Sequence, residues 1–202
     1  MSKSSVQLRV VASNDNDFAR ENLARAFKNS MTEHLRAHTK DTNVNPDTLL
    51  TTDYLNHFNE IVMLLELVPS APTQFAAELA GWQHESYEEH FTRSGFRDKE
   101  LAIIGYRNAP GEVRRAFDSS VADLETEMVM LLQQVQDKIA TGDSESLSML
   151  CNEAVPRLQN FIQITAGIVN GSMPDGPETA ETEAASNDDA ASAQSAVDAL
   201  FD

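Results

Sequence analysis

The chain has 202 residues, enough for one ordinary domain and an appendage. Its 15 Lys and Arg stand against 32 Asp and Glu, a formal charge of −17. That balance argues against nucleic acid, whose binders neutralise phosphates with cations, and against anionic lipid surfaces. No segment approaches the ~20 apolar residues of a spanning helix, and residues 1–18 hold no apolar stretch long enough for a signal peptide. The one cysteine, Cys151, excludes an intrachain disulfide or a cysteine-based zinc site. A cytoplasmic protein is the expectation, with neither nucleic acid nor membrane insertion among its partners.

Residues 1–14 read as a flexible leader. Asn14 to Asp17 then offer N-cap candidates, and Ala19, Leu23, Phe27, Met31 and Leu35 recur every four residues, which predicts an amphipathic helix over 15–37. Pro46 and two Asn place a loop at 38–50. Thr52 can cap a second helix, whose broad apolar face runs from Tyr54 to Leu67 before Pro69 stops it. Three shorter helices follow. Ser70-Ala71-Pro72 opens the first, which ends at Gly81. Ser86 with Glu89 forms a capping box for the second, and Asp98 begins the third.

The strongest periodic signal comes next. Val113, Phe117, Val121, Leu124, Met128, Leu131, Val135 and Ile139 alternate spacings of four and three, which keeps one face apolar for about seven turns. Thr141-Gly142-Asp143 is a tight break, with Gly142 suited to the position after a helix end and Asp143 or Ser144 to the next cap. Leu147, Leu150, Ala154, Leu158, Phe161, Thr165 and Ile168 resume the pattern up to Gly171, across a Pro156 expected to kink it. Two stripes joined by so short a turn fold back as an antiparallel hairpin. The fold class is therefore all-α: a helical bundle with a long antiparallel C-terminal helix hairpin, in which helices 15–37 and 52–68 cover the hairpin. A homodimer through two such hairpins is the alternative cover. The domain reading is a core at 15–171, a disordered acidic linker at 172–191 and a short docking helix at 192–202. Between 172 and 192 there is too little apolar surface to offset the entropy of ordering.

No set of chemistry-bearing residues in the core imposes a reaction. His34 and His38 share a helix face but lack a third ligand. His57 with Glu60, and His84 with Glu85, Glu88, Glu89 and His90, do not repeat the paired Glu-x-x-His pattern of di-iron bundles. Trp82, Tyr87 and Phe91 beside them are expected to pack the small helices onto the bundle. Cys151, on an apolar stripe, is expected to be a buried and inert thiol. There is no glycine-rich phosphate loop or nucleophile elbow, so neither a cofactor nor a metal is expected.

Apolar residues return in the last few positions. Val197, Leu200 and Phe201 fall on one face of a single helical turn, with Ser192 or Ser195 as a cap. So short a helix is unstable alone in water and is worth ordering only in a partner's groove. Burial of three such side chains yields about 1.5–3 kcal/mol each before the ordering cost, which fits reversible micromolar docking. The segment Gln194 to Phe201 resembles the peptide by which chemotaxis and flagellar proteins hold the phosphorylated response regulator CheY. It is similar to the N-terminal segment of the flagellar switch protein FliM and to the C-terminal tail of the chemotaxis phosphatase CheZ. In those peptides a Gln precedes an aliphatic residue, an Asp and two large apolar residues, and Gln194, Val197, Asp198, Leu200 and Phe201 stand in those places here. Ala196 departs from a position that is often polar.

The resemblance implies a CheY-like receiver domain as partner. The phosphatase family also implies an acidic residue and a Gln one helical turn apart, and that pair is missing: Gln133 and Gln134 follow Val129 and Met130. Other helical phosphoaspartate phosphatases use an acid and an Asn three apart. Asp53 and Asn56 stand at that spacing, Asn56 to orient a water and Asp53 to hold a regulator Lys. The competing reading leaves Asp53 supporting a helix start and Asn56 on a polar face. The leading expectation is a non-enzymatic adaptor or regulator of two-component signalling that docks a receiver domain through its C-terminal peptide. The alternatives are a response-regulator phosphatase and a purely structural bundle.

Overall fold

The structure, a computed structural model, describes residues 4–173. Among them are seven α-helices and no strand: α1 Ser4–His38, α2 Asn56–Leu67, α3 Pro72–Gly81, α4 Tyr87–Arg93, α5 Lys99–Asn108, α6 Gly111–Thr141 and α7 Ser144–Val169. A 3-10 turn, Thr52–Leu55, leads into α2.

The hairpin of α6 and α7 is the frame, and each half of its turn has a local cause. Gly142 closes α6 with φ +70°, the left-handed conformation in which a Cβ is costly. The Asp143 carboxylate then accepts the Ser146 amide at 3.1 Å and caps α7. The expected stripe of α6 is the buried one: Phe117, Val121, Leu124, Met128, Leu131 and Val135 all lie in the core. On α7 the buried set is Leu147, Cys151, Ala154, Leu158, Ile162, Thr165, Ile168 and Val169, with Cys151 and Ile162 deeper than the neighbouring Leu150 and Phe161. Burial pushes the Cys151 thiol up. The helix runs unbroken through Pro156. Across the hairpin, Ser120 and the buried Thr165 share a 2.7 Å hydroxyl contact, and Thr165 donates onward to the Phe161 carbonyl at 2.8 Å.

Helix α2 and the 3-10 turn pack on α7, and α3 packs on α6. Helix α4 lies against α5 and the 3-10 turn. The small helices begin where local chemistry directs. Pro72 occupies the first turn of α3, and Ser86 and Glu89 form the expected reciprocal box of α4. The cap of the second helical segment is Thr51 rather than Thr52, through its hydroxyl and the Asp53 amide. Asp98 precedes α5 but forms no side-chain cap; its carboxylate pairs instead with Arg97 at 3.0 Å.

Helix α1 ends where expected but departs from expectation in its start and in its packing. It begins at Ser4, so most of the stretch read as a leader is helical; Ser4 to Asp17 contains no Gly or Pro to stop it. Nor does it cover the hairpin. It packs on α5, and α3 takes the place foreseen for it against α6. The spacing explains why. A strict step of four residues advances 400° around a helix, so each apolar residue sits about 40° from the last. Leu35 is buried and Met31 half-buried, while Phe27 and Leu23 have turned away into solvent at 67% and 72% exposure.

The loop between α1 and the 3-10 turn is built into the core. Asn45 accepts the amides of Asp47 and Thr48 with its side-chain oxygen, at 2.8 and 3.1 Å. Leu49 and Leu50 are fully buried, and Leu49 adopts φ +61°. This conformation lays its carbonyl on α5, where a Cβ added to Gly105 would come within 2.4 Å of the Leu49 oxygen.

Candidate functional site

The five residues proposed to hold a partner, Gln194, Val197, Asp198, Leu200 and Phe201, lie outside the described residues. The proposed catalytic pair lies within them. Asp53 belongs to the 3-10 turn, and its Oδ2 accepts hydrogen bonds from the Thr51 hydroxyl at 2.7 Å and the Asn43 amide at 3.1 Å. Asn56 opens α2 one turn later and is exposed. The turn leaves Asn56 exposed and Asp53 half-buried, and the carboxylate meant to hold a regulator Lys is engaged in tying the 39–51 loop to the turn.

His34 and His38 lie side by side on the exposed side of α1, ring centroids 4.4 Å apart with the planes tilted by 48°, and the His38 Nδ1 is 2.8 Å from the His34 carbonyl. Among the described residues no group of three or more His, Cys, Asp and Glu side chains is placed to hold a metal ion.

A cluster that sequence reasoning assembled only in part lies where the 3-10 turn, α4, α5 and α6 meet. Tyr54, Tyr87, Phe91 and Phe117 form its buried floor, with Tyr54 and Tyr87 5.2 Å apart and Tyr106 stacked on Tyr87 at 4.9 Å. The Tyr54 hydroxyl donates to the Glu85 carbonyl at 2.9 Å, and the Tyr87 hydroxyl accepts the Thr51 amide at 3.0 Å. Over this floor is a cavity of about 170 Å³ rimmed by His84, Tyr106, Asp118 and Glu125. His84 pairs with Glu125 across 41 residues of sequence, and the Tyr106 hydroxyl donates to Asp118 at 2.9 Å.

Burial dominates the electrostatics here. It lowers His57 to about 4, against the opposing pull of the Tyr54 carbonyl that accepts from its Nδ1. It lowers His90 as well, although Glu85, Glu60 and Asp53 pull the other way. It raises the Glu125 carboxyl in spite of His84, raises Tyr106 to about 12 with help from Asp118, and holds Tyr54 and Tyr87 well above their ordinary values. At neutral pH the phenols of the floor are thus protonated, and the imidazoles of His57 and His90 beside Tyr54 are neutral. The floor offers no phenolate, and the two hydrogen-bonded pairs at the rim, His84 with Glu125 and Tyr106 with Asp118, face a space smaller than the usual small-molecule pocket of at least ~300 Å³. The carboxylates that sequence reading missed, Asp118 and Glu125, are seven apart and flank the buried Val121 and Leu124 on α6, a spacing that puts them on one face. Their partners His84 and Tyr106 could not be paired with them from spacing alone.

Two adjoining hollows of about 470 and 300 Å³ line the outer side of the hairpin between α6 and α7. Exposed Met130 and Met149 border them, together with Gln134, Glu153 and the ion pair of Glu127 with Arg157. No described helix is long and apolar enough to cross a membrane. The fold and these surfaces define an all-α helical bundle protein. Compared with known proteins, the chain matches no family model, no curated protein and no solved structure.

Proposed function

We propose that this protein is a non-enzymatic adaptor of two-component or flagellar signalling that docks a CheY-like receiver domain through residues 194–201. The observation that carries the reading is the order Gln194, Val197, Asp198, Leu200, Phe201 following a stretch, residues 174–193, with six acids and no Lys or Arg. Anchors of this kind bind a preformed groove through an apolar helical face. The described core supports the adaptor reading in two ways. The acid of the Asp53–Asn56 pair is already occupied by Thr51 and Asn43, which weighs against phosphatase chemistry there. The Met-bordered hollows of the hairpin supply an adaptable second surface near which a tethered receiver would be concentrated.

The test is a titration of a peptide spanning residues 188–202 with phosphorylated and unphosphorylated receiver domain. Micromolar binding of the phosphorylated form, weakened at least about tenfold by Leu200→Ala with Phe201→Ala, is the expected result. No binding at millimolar peptide overturns the reading. The enzyme alternative is separated by following receiver dephosphorylation with the full chain. The adaptor reading expects no acceleration, whereas acceleration abolished by Asn56→Ala would establish the phosphatase.

A further inference from the structure

Charge is distributed along this chain in three blocks. Residues 1–40 hold seven Lys and Arg against four acids, residues 41–173 hold eight against twenty, and residues 174–202 hold eight acids and no cation. Three cations of the first block, Arg20, Arg25 and Lys28, lie on the part of α1 that has no cover. Every residue from Phe18 to Ser30 is exposed. Leu23, Phe27 and the half-buried Met31 form an apolar ladder up successive turns, and Arg20, Arg25 and Lys28 stand around it with a single acid, Glu21.

The end of the described chain lies at the foot of this helix. The Arg36 guanidinium donates to the Pro46 carbonyl at 3.1 Å, and two residues further along the same loop Thr48 donates to the Val169 carbonyl at 2.6 Å. Four residues beyond Val169 is Met173. From Leu35, at the anchored end of α1, Phe27 is about 12 Å and Leu23 about 18 Å up the helix. Val197 is 24 residues beyond Met173, and a flexible chain of that length has a reach of about 25–30 Å, enough to cover the distance to Phe27 or Leu23.

We propose that the exposed face of α1 around Leu23, Phe27 and Met31 is the docking surface for the chain's own acidic segment 174–202, closing an intramolecular latch. Val197, Leu200 and Phe201 cover the apolar ladder, and the acids of the segment face Arg20, Arg25 and Lys28. A second α1 is the poorer occupant because it brings the same three cations. The acidic segment of another copy has the right chemistry, but the covalent tether sets a local concentration near the millimolar range, which exceeds that of separate molecules in dilute solution. The contact does not depend on the receiver-docking reading. Where both hold, receiver and α1 compete for one tip.

Hydrogen exchange of the full chain in low salt, without any receiver present, tests the latch. Amides of residues 20–31 are expected to exchange at least about fivefold more slowly in wild type than in the Val197→Ser, Leu200→Ser, Phe201→Ser triple variant. That variant leaves α1 itself unchanged, so a difference cannot come from altered helix propensity. A second variant, Arg20→Glu with Arg25→Glu and Lys28→Glu, is expected to lose the protection too, as is wild type at high salt. Equal exchange in wild type and the tail variant overturns the proposal. Protection that grows with protein concentration also overturns it, in favour of pairing between copies. Because no receiver is in the tube, failure here is distinct from failure of the peptide titration.

Discussion

At neutral pH the His57 imidazole sits uncharged among Tyr54, Phe58 and His90, its Nδ1 on the Tyr54 carbonyl and its Nε2 buried without a partner. In the unfolded chain it takes a proton near pH 6.5, whereas in the folded chain it resists until about pH 4. Between those values the unfolded state binds more protons, so stability is full above pH 6.5 and falls as pH drops through the window. The contribution lost between pH 7.5 and pH 5 is about 2 kcal/mol. His90 acts in the same direction, and the groups that face the pair (Glu85, Glu60, Asp53 and His84) are mostly anionic and soften the loss. Urea unfolding at pH 7.5 and pH 5 checks this with His57→Asn, whose amide can keep the bond to the Tyr54 carbonyl but does not titrate. The variant should be less stable at pH 7.5, because the smaller side chain leaves space, yet lose less on acidification. A fall with pH as steep as that of wild type would show that another group controls the slope.

The elements were legible in the sequence wherever a stripe and a stop signal agreed. The alternating fours and threes of α6, the left-handed Gly142 and the Ser86–Glu89 box each state a local preference that the tertiary structure respects. Helix α1 was legible as a helix but not as a partner, since a stripe that winds 40° per step reports helicity without reporting one buried face. The loop before the 3-10 turn was opaque for a different reason. Its position depends on Leu49 in a left-handed conformation and on a glycine 56 residues further on, neither of which a local pattern announces. That close approach yields a prediction. Gly105→Ala would set a methyl 2.4 Å from the Leu49 carbonyl oxygen, and backbone on both sides leaves little room to yield. Destabilisation of about 2–3 kcal/mol is expected, the upper range for overpacking, read as a lower denaturant midpoint at unchanged slope. A loss below ~0.5 kcal/mol would mean that the loop slides off α5 at little cost.

For the whole molecule, the decisive quantity is the separation of charge between the body and the two ends. The aromatic cluster and its rim were only half readable because His84 meets Glu125, and Tyr106 meets Asp118, through the packing of separate helices. The charge blocks, by contrast, are properties of the sequence that the fold turns into geometry by leaving Arg20, Arg25 and Lys28 on an uncovered stretch of α1. The body, residues 41–173, carries a net charge of −12, and self-repulsion of that size destabilises a compact state at low ionic strength. Adding salt from about 10 mM to about 200 mM shortens the screening length from roughly 30 Å to below 10 Å, so the free energy of unfolding of the core should rise, on the order of 0.5–1 kcal/mol. The same salt weakens any attraction between α1 and the acidic segment. Global stability and protection of α1 should therefore move in opposite directions along one titration, the first read from denaturant midpoints and the second from exchange at residues 20–31. If both rose together, screening of the body would be reaching α1 as well, and the ends of the chain would not be held by opposite charge.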